Sequence, residues 1–316
     1  MEEQPKQTFR RSPFEILGEC FSIYGRHFRK LILIALIVQV PLAVFGFALG
    51  DRLPGAEDLQ RLQVSIIGDP RASLPESAEY SIESPELPEA LTSDEIVGFG
   101  ISVASLFIVT LILHAFASGV IAVAVAMQYA TGQIDVGGCY GRAWWRVLSL
   151  VILGLVLFGL FVLMIAGFAL FIVPGIVIIV LIIYWSVDVP AVVIEGYKPI
   201  SALKRSFELV RGNWWRTFAA ILLMILTSVG VTIILTLLLS APLALLGDDG
   251  LSETMMQVAN SLLGMLTNAI IMPIAATVGT LIYLDLRARD EEYDIEMLSQ
   301  ELGYEPRSDE PGLNTQ

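Results

Sequence analysis

The side chains able to do chemistry are few, and they sit in or beside long apolar stretches. The only histidines are His27 and His114, so a histidine-rich metal cluster and the paired-histidine spacing of a zinc protease are absent. Ser118 follows His114 by one helical turn. A serine–histidine pair is the currency of intramembrane proteolysis, but two such groups on one helix without oxyanion donors are a weak catalytic signal. A neutral histidine hydrogen-bonded within a helix bundle accounts for them more simply. Asp188 and Asp285 each end an apolar stretch, close behind Tyr184 and Tyr283. A carboxylate costs ~3 kcal/mol at the membrane centre and much less at its interface. Pairing with Arg146, Arg216 or Arg287 is the structural expectation for these aspartates, and proton or cation coupling is the functional one. Gln39, Asn260 and Asn268 place amides near Pro41 and Pro273. Interhelical hydrogen bonds of ~0.6–2 kcal/mol explain such amides, while broken helices around a substrate are the sharper alternative. Gly137, Gly138 and Gly141 lack a following Lys-Ser/Thr, so no nucleotide loop is expected. No catalytic residue, metal or cofactor is assigned.

The elements that must position these groups are membrane helices. Hydrophobic residues make up 55% of 316 positions and charged ones 16%, too apolar a balance for a soluble surface. The net charge of −13 arises from acids gathered in one loop and one tail, and no dense basic face suggests nucleic acid. Cys20 and Cys139 are the only cysteines, too few for a disulfide framework and expected to stay reduced.

A span needs ~20 apolar residues. The stretches that qualify are 31–50, one within 96–127, 217–246 and 255–284, plus Val147–Val187, which runs 41 residues without a charge. As one helix that last stretch would measure ~60 Å. Ile172-Val173-Pro174-Gly175 supplies the break that folds it into two spans. The first stretch is too long for a cleavable signal peptide and is read as a retained helix. Sixteen of the nineteen Lys and Arg residues then fall on one side, against Arg52, Arg61 and Arg71 on the other. By the positive-inside rule both termini are expected in the cytoplasm. The outer loop 51–95, with eleven acidic residues and five prolines, is expected to be solvated and without a core.

Two segments align without a gap. Phe14, Leu17, Phe21, Tyr24 and Phe28 match Ile200, Leu203, Phe207, Val210 and Trp214, with Pro13 and Pro199 at the same place. The spacing predicts one apolar stripe on a helix with proline in its first turn. Bases close each copy, Arg26, Arg29 and Lys30 in the first and Arg211 and Arg216 in the second, with Lys204 and Arg205 as further candidate headgroup contacts. Trp144-Trp145-Arg146 mirrors Trp214-Trp215-Arg216 ahead of the third span. These segments are expected to lie in the inner interface with their bases near anionic headgroups.

Three stretches resemble the membrane domain of the glycerophosphoryl diester phosphodiesterase family. They are Ile172-Val173-Pro174-Gly175 leading to Asp188-Val189-Pro190-Ala191 and Glu195-Gly196; Ala202 through Arg216; and Leu281-Ile282-Tyr283-Leu284-Asp285-Leu286-Arg287-Ala288-Arg289. The resemblance takes in nearly everything but the acidic loop. It implies a membrane fold and no hydrolysis, because in those enzymes the activity resides in a separate barrel of ~250 residues, and only about thirty residues follow the sixth span here.

The expectation is therefore an all-α, six-span protein of a prokaryotic cytoplasmic membrane. Residues 1–30 form a cytoplasmic lead, 31–286 the membrane domain with an interfacial helix at 199–216, and 287–316 an acidic tail. Its expected partners are anionic lipids at the inner face and a membrane or enzyme partner protein, with a small-solute or lipid transporter as the alternative.

Overall fold

The uninterrupted apolar runs become helices, because a backbone surrounded by hydrocarbon must satisfy its hydrogen bonds within its own segment. The computed structural model describes residues 9–49, 61, 91–170, 177, 180–245 and 253–304. Among these there are helices and no strands. In chain order they are α1 (Pro13–Ala48), α2 (Ser93–Thr131), α3 (Val136–Trp144), α4 (Val147–Leu170), α5 (Pro199–Arg211), α6 (Trp214–Leu245), α7 (Glu253–Asp290) and α8 (Ile295–Glu301). A helical turn at Asp188–Pro190 runs into a π-turn at Ala191–Glu195 ahead of α5.

Four helical stretches are long and apolar enough to cross a membrane: Pro13–Ala48, Ser93–Thr131, Trp214–Leu238 and Ser261–Asp290. A fifth follows if α3 and the first part of α4, bent by 68°, are taken as one broken span. The chain is a helical membrane protein. The turn expected at Ile172–Gly175, most of the acidic loop 51–95 and the tail past residue 304 lie outside the described residues.

Two compact units divide the chain. The smaller, Val44–Thr110, holds the end of α1 and the start of α2. There Thr92 and Glu95 form a capping box: the Thr92 N–H donates to the Glu95 carboxylate at 2.8 Å, and the Glu95 N–H donates back to Thr92 Oγ1 at 3.3 Å. This exchange satisfies two of the amides a helix start leaves open.

The larger unit, residues 1–43 and 111–316, is built around the second half of α2. Ala117 and every residue from Val120 to Met127 are buried. Small side chains let neighbours approach from all sides. A Cβ on Gly119 would lie 2.9 Å from the Leu150 side chain and 3.1 Å from that of Val193.

The paired lead segments fold alike. Ile16, Cys20, Ile23 and Tyr24 are buried in the first, and the aligned Ala202, Ser206, Leu209 and Val210 are buried in the second. Burial agrees position by position from Pro13–His27 to Pro199–Asn213. The stripe expected to face the inner interface lies mostly outside this buried set. Phe14, Phe21 and Phe28 are exposed, as are Ile200 and Phe207, while Leu17, Leu203 and Trp214 pack half-buried against the core and Tyr24 and Val210 are buried. A hydrogen bond marks the same buried position in both leads. Ser206 Oγ donates to the Tyr184 carbonyl at 2.7 Å, and Cys20 Sγ reaches the Ile274 carbonyl at 3.6 Å. A bulky aromatic would block that approach. The copies also end differently. Gly212 closes α5 and a new helix starts at Trp214, whereas the first lead continues into its span through a kink at His27 (φ −120°, ψ 22°).

Candidate functional site

The last turns of α7 and the residue just past its end carry charges at positions 285, 287, 289 and 291. At ~100° per residue, Asp285 with Arg289 and Arg287 with Glu291 occupy opposite faces, and each face organises its own cluster.

Asp285, 1% exposed, is the hub of the first cluster. Arg216 Nε at the start of α6 donates to its Oδ2 at 2.9 Å, and Arg289 Nε donates at 3.1 Å from one turn along α7. The Arg11 backbone N–H adds a third bond at 2.7 Å. The expected pairing of Asp285 with arginine is therefore present, through Arg216.

The second cluster centres on Arg287, which is also buried. Its Nη1 and Nη2 donate to the two oxygens of Glu301 on α8 at 2.9 and 3.0 Å, a fork matched to a carboxylate. Its Nε donates to Glu291 at 3.0 Å, and its guanidinium lies 3.6 Å over the Tyr293 ring. Tyr283 and Tyr293 donate their hydroxyls to Glu195 and Glu301, both at 2.6 Å. Arg205 joins α5 to this set by donating to Glu195 at 3.1 Å and to Glu291. Burial works against the charge on Glu291, but bonds from Arg205 and Arg287 outweigh it and hold the carboxyl below its usual range. Burial, reinforced by the bond to Glu301, raises the Tyr293 hydroxyl well above its ordinary value. Each charge in these clusters faces an opposite one, so the arrangement clamps α5, α7 and α8 together and leaves no poised acid or base.

The residues expected at lipid headgroups divide into two sets. Arg26, Arg29, Lys204 and Arg211 are exposed, with Arg26 folded back on Ser22 and Lys204 3.8 Å from Glu208. Trp144, Trp145 and Trp215 are 63%, 86% and 77% exposed. The other set serves the bundle. Lys30 Nζ donates to the Ile134 carbonyl at 2.6 Å, Arg205 and Arg216 are held by carboxylates, and half-buried Trp214 stacks on Phe218. Arg146 Nη1 donates to the Gly196 carbonyl at 3.3 Å. Gly196 adopts φ +77°, and a side chain there would collide with that guanidinium.

The intramembrane candidates also separate. Asn268 bonds its own helix at Gly264, and His114 is half-buried on α2. Asp188 does not form the expected pair with Arg146, Arg216 or Arg287. Its Oδ1 accepts the Val189 N–H, and its Oδ2 is buried without a hydrogen-bond partner. Burial pushes this carboxyl up to about 7. Sequence reasoning missed Arg289, Glu291 and Glu301 as partners. The four-residue spacings 285–289 and 287–291 were the available signal, whereas Glu301 arrives only because α8 folds back. No group of three or more His, Cys, Asp or Glu placed to hold a metal occurs among the described residues.

Residues 83–286 match a family described as a domain of unknown function (DUF7847). The chain belongs to that family. The match takes in Asp188, Glu195, Arg205, Arg216 and Asp285, and stops one residue before Arg287. No curated protein matches the chain, and no solved structure does.

Proposed function

We propose that this protein is a six-span, non-catalytic membrane module of a prokaryotic cytoplasmic membrane whose inner end engages anionic lipid. The observation that carries this reading is the exposed aromatic and basic rim. Trp144, Trp145 and Trp215 stand unburied just before or at the start of apolar helices, and Arg26, Arg29, Lys204 and Arg211 stand unburied in the leads. Tryptophan prefers the headgroup level, and each base near an anionic surface contributes about 1 kcal/mol. The exposed Phe14, Phe21, Ile200 and Phe207 supply an apolar edge for an interfacial helix. The resemblance to the membrane domain of the glycerophosphoryl diester phosphodiesterases adds a partner enzyme to this reading.

The test is native mass spectrometry of the protein released from bilayers containing phosphatidylglycerol. Wild type retains the anionic lipid, and a variant with Arg26, Arg29, Lys204 and Arg211 each changed to Glu retains less. Equal retention would remove the proposal. A second reading, a small-solute or lipid transporter, is favoured by the unpartnered Asp188 carboxylate. It requires flux in reconstituted vesicles that Asp188→Asn abolishes.

A further inference from the structure

Asp188 lines a cavity of about 440 Å³ among α2, α4, α6, α7 and the segment around residues 182–190. That volume lies within the range of small-molecule sites. Its wall is chiefly hydrocarbon, including Leu157, Ile182, Ile221 and Ile225. Among the described residues, Asp188 is the one charged residue that lines it, and no lysine or arginine does.

The polar groups on this wall are distinctive. Asp188 is 5% exposed, and its Oδ2 has no hydrogen-bond partner. Ser186 Oγ, on the same wall, is also buried and unpartnered. Leaving a buried polar atom unpaired costs about 1–3 kcal/mol, and more for a charged one. Two such groups, two positions apart in the chain, belong to residues that line the same apolar chamber. The Trp185 indole completes the wall, and an indole face attracts cations.

We infer that this cavity binds an ammonium group carried on an apolar body, with Asp188 Oδ2 and Ser186 Oγ accepting its N–H bonds and the aliphatic wall taking its hydrocarbon. An anion would meet the Asp188 carboxylate with no compensating base. A metal ion would find a single carboxylate, short of the several oxygen ligands that hard cations need. The ammonium could belong to a free lipophilic amine or to an aminolipid headgroup, and the chemistry of recognition is the same. This inference does not depend on the lipid rim proposed above, which lies on the exposed surface.

The experiment uses the full chain in phosphatidylcholine nanodiscs at mildly alkaline pH. A bromine-tagged long-chain alkylammonium is titrated while tryptophan emission is followed, since bromine quenches a nearby indole. The difference between wild type and Trp185→Phe reports the cavity. Saturable quenching is expected in wild type, with affinity at least about tenfold weaker in Asp188→Asn, because the buried charge partner is removed. The matched bromoalkyl alcohol should bind weakly and indifferently to that substitution. Ala276→Leu fills the cavity from α7, where Ala276 lines it, and should abolish quenching with position 188 intact. Repeating the titration with phosphatidylethanolamine brominated in its acyl chain distinguishes the sources. Quenching by either ammonium compound that both variants remove supports the site and names its ligand. Quenching that does not saturate, that persists in Ala276→Leu, or that is the same for the alcohol overturns it.

Discussion

Asp285 and Asp188 look equivalent in sequence, each behind a tyrosine at the end of an apolar run. In the folded chain they are opposites. Asp285 is surrounded by Arg216, Arg289 and the Arg11 amide; Asp188 receives one amide from its neighbour and, among the described residues, no cation. Both are nearly fully buried, so burial does not distinguish them. The distinction is what neighbouring elements bring. The start of α6 delivers an arginine to Asp285, while the walls around Asp188 are chiefly hydrocarbon. A saturated carboxylate is structural, and an unsaturated one in a cavity is available to a ligand.

Substitutions at these two positions should separate most sharply. Asp285→Ala strands two arginines, and removing one partner of a buried pair typically costs about 3–5 kcal/mol. Its unfolding midpoint, followed by heating in detergent, should fall by far more than that of Asp188→Asn. Arg287→Ala should approach the same loss, because it strands Glu301 and Glu291. It should also release α8, read as new proteolytic cleavage near residues 295–301. Comparable stability of Arg287→Ala and wild type would break the contrast.

The lead segments offer a medium-sized test. Ser206→Ala deletes the bond to the Tyr184 carbonyl and the one accepted from the Val187 N–H at 3.2 Å, at a cost of about 1–3 kcal/mol. Cys20→Ser at the equivalent position should cost less than about 1 kcal/mol, since a hydroxyl can serve the Ile274 carbonyl as Ser206 serves Tyr184. A large loss at Cys20→Ser would show that the two leads only look alike.

The pH dependence of Asp188 is smaller but has a definite sign. In the unfolded chain this carboxyl ionises in the ordinary acidic range, and in the folded chain only near about 7. Between those values the folded state binds the extra proton, so this group's contribution to stability falls as pH rises and levels off above about 7. The stability difference between wild type and Asp188→Asn should therefore shift in favour of Asn over that window. A pH-independent difference would mean Asp188 ionises normally. The smallest stability effect is expected for Lys204→Glu with Arg211→Glu, which should stay within about 0.5 kcal/mol, because both side chains are exposed.

The helices were legible because a membrane span is a matter of length and apolarity, both read directly from composition. The repeat of the leads was legible as spacing, and burial follows the alignment closely. The face that turns inward was not legible. The stripe of Phe14, Phe21 and Phe28 was expected at the inner interface and is exposed, but its spacing did not reveal that a second face, Ile16, Cys20 and Ile23, would carry the packing. The ion clusters were half legible: an arginine such as Arg216 was expected at Asp285 and is there, Arg289 and Glu291 were overlooked although they lie one helical turn from their partners, and Arg11, Arg205 and Glu301 come from distant positions.

Local sequence thus determined where the helices run, that they belong in a membrane, and that Pro13–His27 and Pro199–Asn213 are copies of one design, since backbone hydrogen bonding and hydrocarbon solvation act segment by segment. Tertiary structure alone decided that Asp285 is neutralised and Asp188 is not. Charge pairing depends on which side chains arrive within a few ångströms, and only the packing of α6, α7 and the turn at Asp188–Pro190 sets those distances.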